Sequence, residues 1–404
     1  MTKRSLILAV LLTLLLFAWA QAESEFFKAF TDNYHELSTE LANKPPAELA
    51  EISDFVYEKD VATFTFEQGK MYLLRNVEGR PTTAIFLGKG HATIDIPTHT
   101  ERISLLYASG DSVVDETFEM AFLHFSDDFD LRLKERYQFE QTELSWRDFS
   151  KSQQGEFFFR PIVAHKYDNH FQLLRSLYER VEDGYFWIDF NRYVYSFDPS
   201  RPEEVEVAYE HEGGNIATTR GAVMQRREKA IYGDDRVSDI DYPTTALARE
   251  GTLVMGGLNG KRVDEASVEL RLQINKDSLR FLSVFLNHSL KLDSIYYNGA
   301  SVDYWRRRNF TFIGVILPEY RYSGDTVGLQ LWYHGKDYRT ALPSVENPAP
   351  SPHILTFDIP SGYNYIMPAM VLGESPRSKY VRYNVKPQEP YRMFRFQACV
   401  TGYD

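Results

Sequence analysis

The stretch Val268-Glu269-Leu270-Arg271-Leu272-Gln273-Ile274 decides the fold class. Its Val, Leu, Leu and Ile side chains occupy alternate positions, and Glu, Arg and Gln lie between them. Successive side chains of a strand point to opposite faces of its sheet. The alternation therefore predicts an antiparallel strand with one buried face and one solvated face.

Similar strands are predicted beyond this stretch, and turn-forming dipeptides separate them. The turns are Asn298-Gly299, Ser323-Gly324 and Gly335-Lys336. The predicted strands cover residues 281–286, 292–297, 312–317 and 327–333. Short strands at this spacing are typical of a β-sandwich.

The N-terminal half also has the pattern of a β protein. Residues 61–66 and 71–74 flank Gln68-Gly69-Lys70, and residues 84–87 and 92–96 flank Gly88-Lys89-Gly90, so two hairpins are predicted. Further strands are predicted at residues 103–107, 119–125, 185–197, 204–209, 222–226, 354–358 and 392–400.

Helical periodicity is confined to two places. Phe26, Phe30, Tyr34 and Leu37 recur at three- and four-residue steps, which predicts an amphipathic helix. Pro45-Pro46 ends that helix, and a second short helix is predicted before residue 54. Residues 169–183 carry the only other helical face, so one internal helix is expected.

The composition agrees with a mainly β protein. The chain has 404 residues, of which 43% are hydrophobic and 25% charged, as in soluble globular proteins. Aromatic residues reach 15%, and they favour strands. We predict two β-sandwich-like antiparallel domains with a short N-terminal helical segment and one internal helix. The predicted segments are a signal peptide (1–22), a helical lead-in (23–54), a first β-rich domain (55–250), a β-sandwich (251–340) and a Pro-rich connection with C-terminal strands (341–404).

The first residues predict export. Lys3 and Arg4 precede the apolar run 6–20, and Ala20-Gln21-Ala22 matches a signal-peptide cleavage site. We therefore expect a periplasmic or extracellular protein. The alternative is a permanent membrane anchor, because the uncharged run 5–22 approaches the ~18–20 residues that span a bilayer. No later segment is apolar enough to span one.

The charge limits the classes of partner. The formal net charge is −12, and removing Lys3 and Arg4 makes it −14. An acidic protein has little attraction for nucleic acid or anionic lipid. Arg226-Arg227 and Arg306-Arg307-Arg308 are interpreted as solvated charge in loops or at strand ends. The single Cys399 cannot form an intrachain disulfide and is expected to be buried and inert. Asn287 and Asn309 match the glycosylation acceptor pattern, which matters only in a eukaryotic source.

No catalytic, cofactor-binding or metal-binding residue is predicted. A zinc peptidase of the H-E-x-x-H type needs two histidines one helical turn apart, but the sequences after His35-Glu36 and His211-Glu212 lack the second one. His165 and His170 are five residues apart and fit a surface pair better than a metal site. There is also no G-x-S-x-G motif.

Two other groups of residues are candidates for chemistry. Asp127-Asp128-Phe129-Asp130 is predicted to be an exposed loop, with weak calcium binding as the alternative. A pair of carboxylates contributed by distant strands would leave no local motif, so a hydrolase with dispersed acidic residues stays open. Four tryptophans are expected in the core rather than on a sugar-binding surface: Trp146, Trp187, Trp305 and Trp332.

Several segments together resemble a known family. They are residues 268–272, Leu292-Asp293-Ser294-Ile295-Tyr296-Tyr297-Asn298-Gly299, Gly314-Val315-Ile316-Leu317-Pro318 and Gly328-Leu329-Gln330-Leu331-Trp332-Tyr333-His334-Gly335. They resemble the N-terminal β-domain of the aminopeptidase N family, which are gluzincin zinc metallopeptidases. There, a strand runs into a glycine-containing turn, another ends in Leu-Pro and a later one ends in Y-x-G. The region from Thr63-Phe64 through Gly79-Arg80-Pro81 to Gly88-Lys89-Gly90 resembles the extra upstream domain of some bacterial relatives.

The resemblance implies a non-catalytic role. In the family the catalytic domain follows the β-domain and carries G-A-M-E-N and H-E-x-x-H motifs, and neither motif occurs in this chain. We therefore expect a scaffold or partner-contact role, either as a stand-alone relative or as a fragment of a longer peptidase. The partner would be a peptidase domain, a cell-surface protein or a glycan. A glycan- or peptide-binding β-sandwich module is the alternative function.

Overall fold

The chain forms two compact units. The computed structural model describes residues 25–39, 46–77, 80–144, 168–201, 204–210, 219–224, 242–256, 262–307, 310–336, 342–347, 353–361, 364–366, 370–386 and 399–401. The first unit comprises residues 32–241, and the second comprises residues 1–31 with 242–404. Strands dominate both, so the predicted mainly β fold class is confirmed. The sheets are antiparallel as predicted, except that residues 249–254 and 353–358 of the second unit pair in parallel.

The first unit is built on one antiparallel sheet. In the described part of the chain the sheet has nine strands in the order β5-β1-β2-β3-β4-β6-β7-β8-β9. The strands are β1 (Pro46–Lys59), β2 (Ala62–Val77), β3 (Arg80–Ile94), β4 (Val114–Phe125), β5 (Glu140–Glu143), β6 (Phe186–Phe190), β7 (Tyr193–Phe197), β8 (Val205–Glu210) and β9 (Thr219–Met224). Apart from β5, strands that are adjacent in sequence are neighbours in space, so the sheet is a meander.

The two hairpins predicted at glycines are wrong. Gly69 lies inside β2 and Gly88 lies inside β3, and the two residues face each other across the ladder. A Cβ atom on Gly69 would lie 2.4 Å from the Leu87 carbonyl oxygen, and one on Gly88 would lie 2.2 Å from the Gln68 carbonyl oxygen. These glycines therefore allow a close approach of two long strands, which is a known use of glycine inside a sheet.

The second short helix predicted before residue 54 is also wrong, because this segment belongs to β1. Ala50 and Ile52 are buried, whereas Glu51 and Ser53 between them are exposed. This period of two is that of a half-buried strand. β1 pairs with β2 along most of its length.

Four helices lie in the described residues, and sequence patterns predicted two of them. They are α1 (Glu25–Thr39), α2 (His99–Ser109), α3 (Phe129–Arg136) and α4 (Asn169–Glu179). The helices predicted at α1 and α4 are confirmed. The strand predicted at residues 103–107 is wrong, since that segment lies inside α2.

Aromatic rings fill the core of the first unit. Phe66, Phe86 and Phe118 pack edge-to-face in pairs, with centroid distances of 4.9, 5.9 and 5.9 Å. Edge-to-face contacts bring the positive edge of one ring to the negative face of another. Gly90 makes room for this cluster, because a Cβ atom there would lie 2.4 Å from the Phe118 ring.

The second unit contains two larger sheets. Among the described residues of this unit, an eight-stranded sheet has the order β14-β13-β17-β11-β10-β18-β21-β20, and a three-stranded sheet has the order β12-β16-β15. The strands are β10 (Thr244–Gly256), β11 (Arg262–Ile274), β12 (Leu279–Phe285), β13 (Leu290–Tyr297), β14 (Ala300–Ser301), β15 (Asp303–Trp305), β16 (Phe312–Arg321), β17 (Thr326–Gly335), β18 (His353–Pro360), β19 (Asn364–Ile366), β20 (Met370–Pro376), β21 (Tyr380–Lys386) and β22 (Cys399–Thr401). β19 and β22 form a separate pair.

The alternating stretch at residues 268–274 lies in β11, as predicted. Val268, Leu270 and Leu272 are fully buried, and Glu269 and Arg271 between them are exposed. The buried side chains join those of β12, β16 and β17 in one hydrophobic cluster. Gly251, where the sequence predicts a domain boundary, lies within β10, and the two units meet in sequence between Asp241 and Tyr242.

The first turns of α1 belong to the core of the second unit. The Phe30 ring is fully buried, 5.7 Å from the ring of Phe281 on β12 and 6.4 Å from that of Trp305 on β15. Phe26, one turn earlier, lies 6.0 Å from the same Phe281 ring. The amphipathic helix predicted from sequence thus provides aromatic side chains to the three-stranded sheet.

Candidate functional site

Helix α2 carries a row of exposed apolar side chains. Tyr107 is 79% exposed and Leu106 is 46% exposed, and Ile103 is exposed one turn earlier on the same face. Val113, just after the helix, is also exposed. We call Ile103, Leu106, Tyr107 and Val113 the α2 ridge. Contiguous exposed apolar residues mark interaction sites more often than isolated ones do.

The ends of α2 are well defined by its sequence. The Thr98 hydroxyl accepts a hydrogen bond from the Glu101 backbone N–H, and the Thr98 and Glu101 side chains are also hydrogen bonded. This is a capping box. Gly110 ends the helix in the left-handed conformation with φ +93°, and its N–H donates to the Leu106 carbonyl. One side of α2 is anchored by the fully buried Leu105.

The acidic run that was predicted as an exposed loop is largely buried, so that prediction is wrong. The Asp127 carboxylate lies 2.8 Å from Lys59 Nζ and accepts a hydrogen bond of 2.5 Å from the Tyr57 hydroxyl. Burial raises the pKa of Asp127, and the Lys59 ammonium opposes this rise. Burial and the neighbouring Asp127 raise the pKa of the Tyr57 hydroxyl. Asp127 is thus held as a partner of Lys59 inside the protein.

The other two aspartates of the run have different surroundings. Asp128 is exposed and binds Arg132 one turn later in α3, with 2.9 Å between Oδ2 and Nε. Asp130 is buried within α3, and burial raises its pKa. The three carboxylates therefore do not face one common ligand position. Asp130 lies in α3, and Asp127 and Asp128 lie in the turn before it. In that turn, Asp127 Oδ1 accepts a hydrogen bond from the Phe129 N–H.

A second buried polar group lies on the opposite face of the sheet. Thr83, His124 and Trp187 are neighbours on β3, β4 and β6. The Thr83 hydroxyl lies 3.1 Å from His124 Nδ1, and the His124 ring lies 5.2 Å from that of His170 on α4. Burial is the main cause that lowers the pKa of His124, and His170 lowers it further. No sequence motif indicated this contact, because it joins residues from three strands and a helix.

Arg306 is not the solvated charge that the sequence suggested. Its guanidinium is half-buried and donates hydrogen bonds to four backbone carbonyls, those of Leu286, Asn287, Leu290 and Phe310. Burial lowers its pKa. Arg306 therefore joins the β12–β13 connection to the β15–β16 connection and has a structural role.

The prediction that the tryptophans lie in the core is confirmed only in part among the described residues. Trp187 is fully buried, whereas Trp305 and Trp332 are half-buried. Other predictions fall outside the described residues, namely those on the signal peptide (1–22), Trp146, His165, His211, Arg226, Arg227 and Asn309 and on the side chain of Cys399.

The described residues contain neither a metal-binding cluster nor a helix that could span a membrane. No three His, Cys, Asp or Glu side chains in the described ranges come together in a way that could hold a metal ion. Within the same ranges, no helix combines the length and apolar character needed to cross a membrane.

The solved structures that match part of this chain include M1 zinc metallopeptidases. One is a two-domain M1 zinc metallopeptidase, in a mutant form bound to L-tryptophan, with 12% identity and a TM-score of 0.32 over 36% of this chain and 40% of that chain. Another is the M1 zinc metallopeptidase from Deinococcus radiodurans, with 13% identity and a TM-score of 0.33 over 36% of this chain and 39% of that chain.

These matches are limited in extent. This chain spans about two fifths of the length of the solved structures that it matches. No protein-family model matches the sequence, and no curated protein matches it significantly.

Proposed function

We propose that this chain is an exported, non-catalytic protein that contacts another protein through the α2 ridge. The observation that carries the proposal is the exposure of Leu106 and Tyr107 on the same helix face as Ile103. Residues three and four positions apart are neighbours on a helix surface, so the three side chains form one continuous stripe. An amphipathic helix normally turns such a stripe toward the core or toward a partner.

The chemistry of the ridge favours a protein partner over a glycan. Ile103, Leu106 and Val113 are aliphatic, and Tyr107 is the one aromatic residue of the four. Aliphatic side chains in a helical row fit the apolar groove or helix face of another protein. Sugar recognition would rely on flat aromatic rings, which this surface offers only once. The net charge of −12 also disfavours nucleic acid and anionic lipid.

The proposal is tested by comparing purified complexes. The tagged full-length chain is isolated from its own producing cells beside the double variant Leu106→Ser with Tyr107→Ser. We expect a polypeptide that accompanies the wild-type chain in a fixed ratio and is lost from the double variant. The matched control is Tyr322→Ser with Leu372→Ser, which removes one exposed tyrosine and one exposed leucine of the second unit and should leave the complex intact.

Loss of the partner from both double variants, or from neither, contradicts a docking role for the ridge. Because all four tyrosine and leucine side chains are exposed, the variants should keep the wild-type unfolding midpoint, and this can be measured separately.

The non-catalytic part of the proposal has its own test. The purified chain is assayed for bound zinc and for cleavage of aminoacyl amides. We expect no stoichiometric zinc and no cleavage. Binding of one equivalent of zinc together with cleavage would show that the chain is a peptidase, and this outcome does not depend on the α2 ridge.

A further inference from the structure

The strongest unexplained feature is a buried histidine that has no acidic partner among the described residues. His124 is 2% exposed, and its ring lies 4.8 Å from the Phe122 ring and 5.5 Å from the Trp187 ring. Nδ1 contacts the Thr83 hydroxyl, and the buried Nε2 has no hydrogen-bond partner in the described part of the chain. A neutral imidazole suits this position because burial penalises a charged one.

His124 joins the sheet to helix α4 through ring contacts. The His170 ring of α4 lies perpendicular to the His124 ring at 5.2 Å. His170 in turn contacts the Tyr34 ring edge-to-face at 5.6 Å, and the Tyr34 hydroxyl donates to Asp168 Oδ2 at 2.6 Å. Asp168 is the N-cap of α4, since its other oxygen accepts from the Phe171 N–H. The start of α4 is therefore attached to β4 through His124.

Within the described ranges, the groups around His124 offer no counter-ion to its protonated form. In the described residues, no carboxylate lies within hydrogen-bond distance of its ring. The polar and titratable groups on the elements packed around it include the Thr82 main chain and the Thr83 hydroxyl on β3, and Trp187 and Asp189 on β6. Helix α4 and its N-cap add His170, Asp168 and the Arg175–Glu179 ion pair, whose Nε and Oε2 lie 2.9 Å apart, and α1 adds the Tyr34 hydroxyl. Asp168 already accepts hydrogen bonds from the Tyr34 hydroxyl of α1 and from the Phe171 N–H of α4.

We propose that His124 is an acid-sensitive attachment of helix α4 to the nine-stranded sheet, closed when the imidazole is neutral and opened when it takes a proton. A proton on His124 would place a charge among aromatic rings and beside a second histidine. Moving α4 away from β4 would let water reach the ring. Acid therefore favours the open form, as in other histidine switches.

The expected size of the effect follows from linkage. In the closed form, burial and His170 hold the pKa of His124 well below its ordinary value of 6.5. In the open form the ring is hydrated and takes a proton near pH 6.5. Each unit of pH below that value should raise the population of the open form about tenfold, until the pKa of the closed form is reached.

The test is amide hydrogen exchange of the full chain between pH 7.5 and 5.0, corrected for the intrinsic effect of pH. The α4 amides should lose protection about tenfold per pH unit below 6.5, while the amides of β2 and β3 keep theirs. His124→Asn keeps a polar partner for Thr83 but cannot titrate, so α4 should exchange independently of pH. His91→Asn is the matched control, because His91 is partly exposed and lies 2.5 Å from Asp115.

An unchanged pH dependence in His124→Asn, or none in the wild-type chain, overturns the proposal. If His124→Asn does not fold, the imidazole resonances of His124 in the wild-type chain decide the matter. Protonation of His124 that coincides with loss of α4 protection supports the attachment. Protonation near pH 6.5 with α4 fully protected contradicts it.

Discussion

The guanidinium carbon of Arg280 lies 3.6 Å from the centroid of the Phe26 ring. Arg280 Nε also donates to the Leu317 carbonyl at 3.0 Å, so the cation is fixed to β16 while it covers a residue of α1. Phe30 extends this contact to Phe281. The beginning of α1 is therefore part of the second unit, although the whole first unit separates it in sequence from the sheets that it covers.

This contact should stabilise the second unit. Phe30→Ala should lower the free energy of unfolding by about 3–5 kcal/mol, because it empties a fully buried aromatic site. Arg280→Ala should cost about 1–2 kcal/mol through the lost cation–π contact. Urea unfolding followed by tryptophan fluorescence measures both changes. Arg271→Ala serves as the control, since Arg271 and its partner Glu250 are both exposed, and it should cost less than about 1 kcal/mol. Equal losses for Arg280→Ala and Arg271→Ala would contradict this account.

The buried Lys59–Asp127 pair is predicted to contribute far more to stability than the exposed Asp128–Arg132 pair. Asp127→Asn should destabilise the first unit by about 3–5 kcal/mol, because it leaves the nearly buried Lys59 ammonium without a counter-ion. Asp128→Asn should cost less than about 1 kcal/mol, since Asp128 and Arg132 are half exposed. Thermal unfolding of the two variants measures both losses of stability.

A double-mutant cycle adds a sharper test of the same pair. If the pair is coupled, Lys59→Met with Asp127→Asn costs less than the two single changes added together. Strictly additive losses would mean that the two side chains act independently.

A glycine at the close approach of β2 and β3 should not tolerate a side chain. Gly69→Ala brings a Cβ atom to within 2.4 Å of the Leu87 carbonyl oxygen, and overpacking of this kind costs about 1–3 kcal/mol. Gly328→Ala is the control, because its Cβ atom would meet nothing closer than 3.7 Å, and it should be nearly neutral. The free energy of unfolding of each variant is the measurement. A neutral Gly69→Ala would be incompatible with the close approach of β2 and β3.

The first unit should lose stability in mild acid. The folded pKa of His124 is below the unfolded value of 6.5, so above that value both states are neutral and the residue has no effect on stability. As the pH falls below 6.5, His124 binds a proton in the unfolded chain but stays neutral in the folded chain. Stability then falls by about 1.4 kcal/mol per pH unit until the folded pKa is reached. Urea unfolding from pH 7.5 to 5.0 should show this slope in the wild-type chain and a smaller one in His124→Asn, and parallel slopes would refute the assignment.

The strands could be predicted where burial alternates. Residues 268–274 have buried and exposed side chains in turn, and the structure has a strand there. Gly69 and Gly88 were misleading because glycine serves both in turns and where two strands approach closely. Only the pairing of β2 with β3 distinguishes these uses, and that pairing joins distant residues.

The candidate sites were harder to predict for a related reason. The run Ile103-Ser104-Leu105-Leu106-Tyr107 is short and apolar, a pattern that fits a buried strand as well as a helix. The Thr98 and Glu101 capping box and Gly110 were the signals for a helix. No local pattern could tell that Leu105 is buried while Leu106 is exposed, nor that Lys59 would meet Asp127, because these properties depend on tertiary packing.

The most direct measurement for the proposed role is photo-cross-linking from position 107 in the producing cells. A benzophenone amino acid replaces Tyr107, and a second chain carries it in place of Tyr322, which is also exposed but lies in the second unit. We predict one dominant cross-linked protein from position 107, absent from position 322 and abolished when Leu106→Ser is added. Equal cross-linking from both positions, or cross-linking at 107 that survives Leu106→Ser, would contradict a docking role for the α2 ridge.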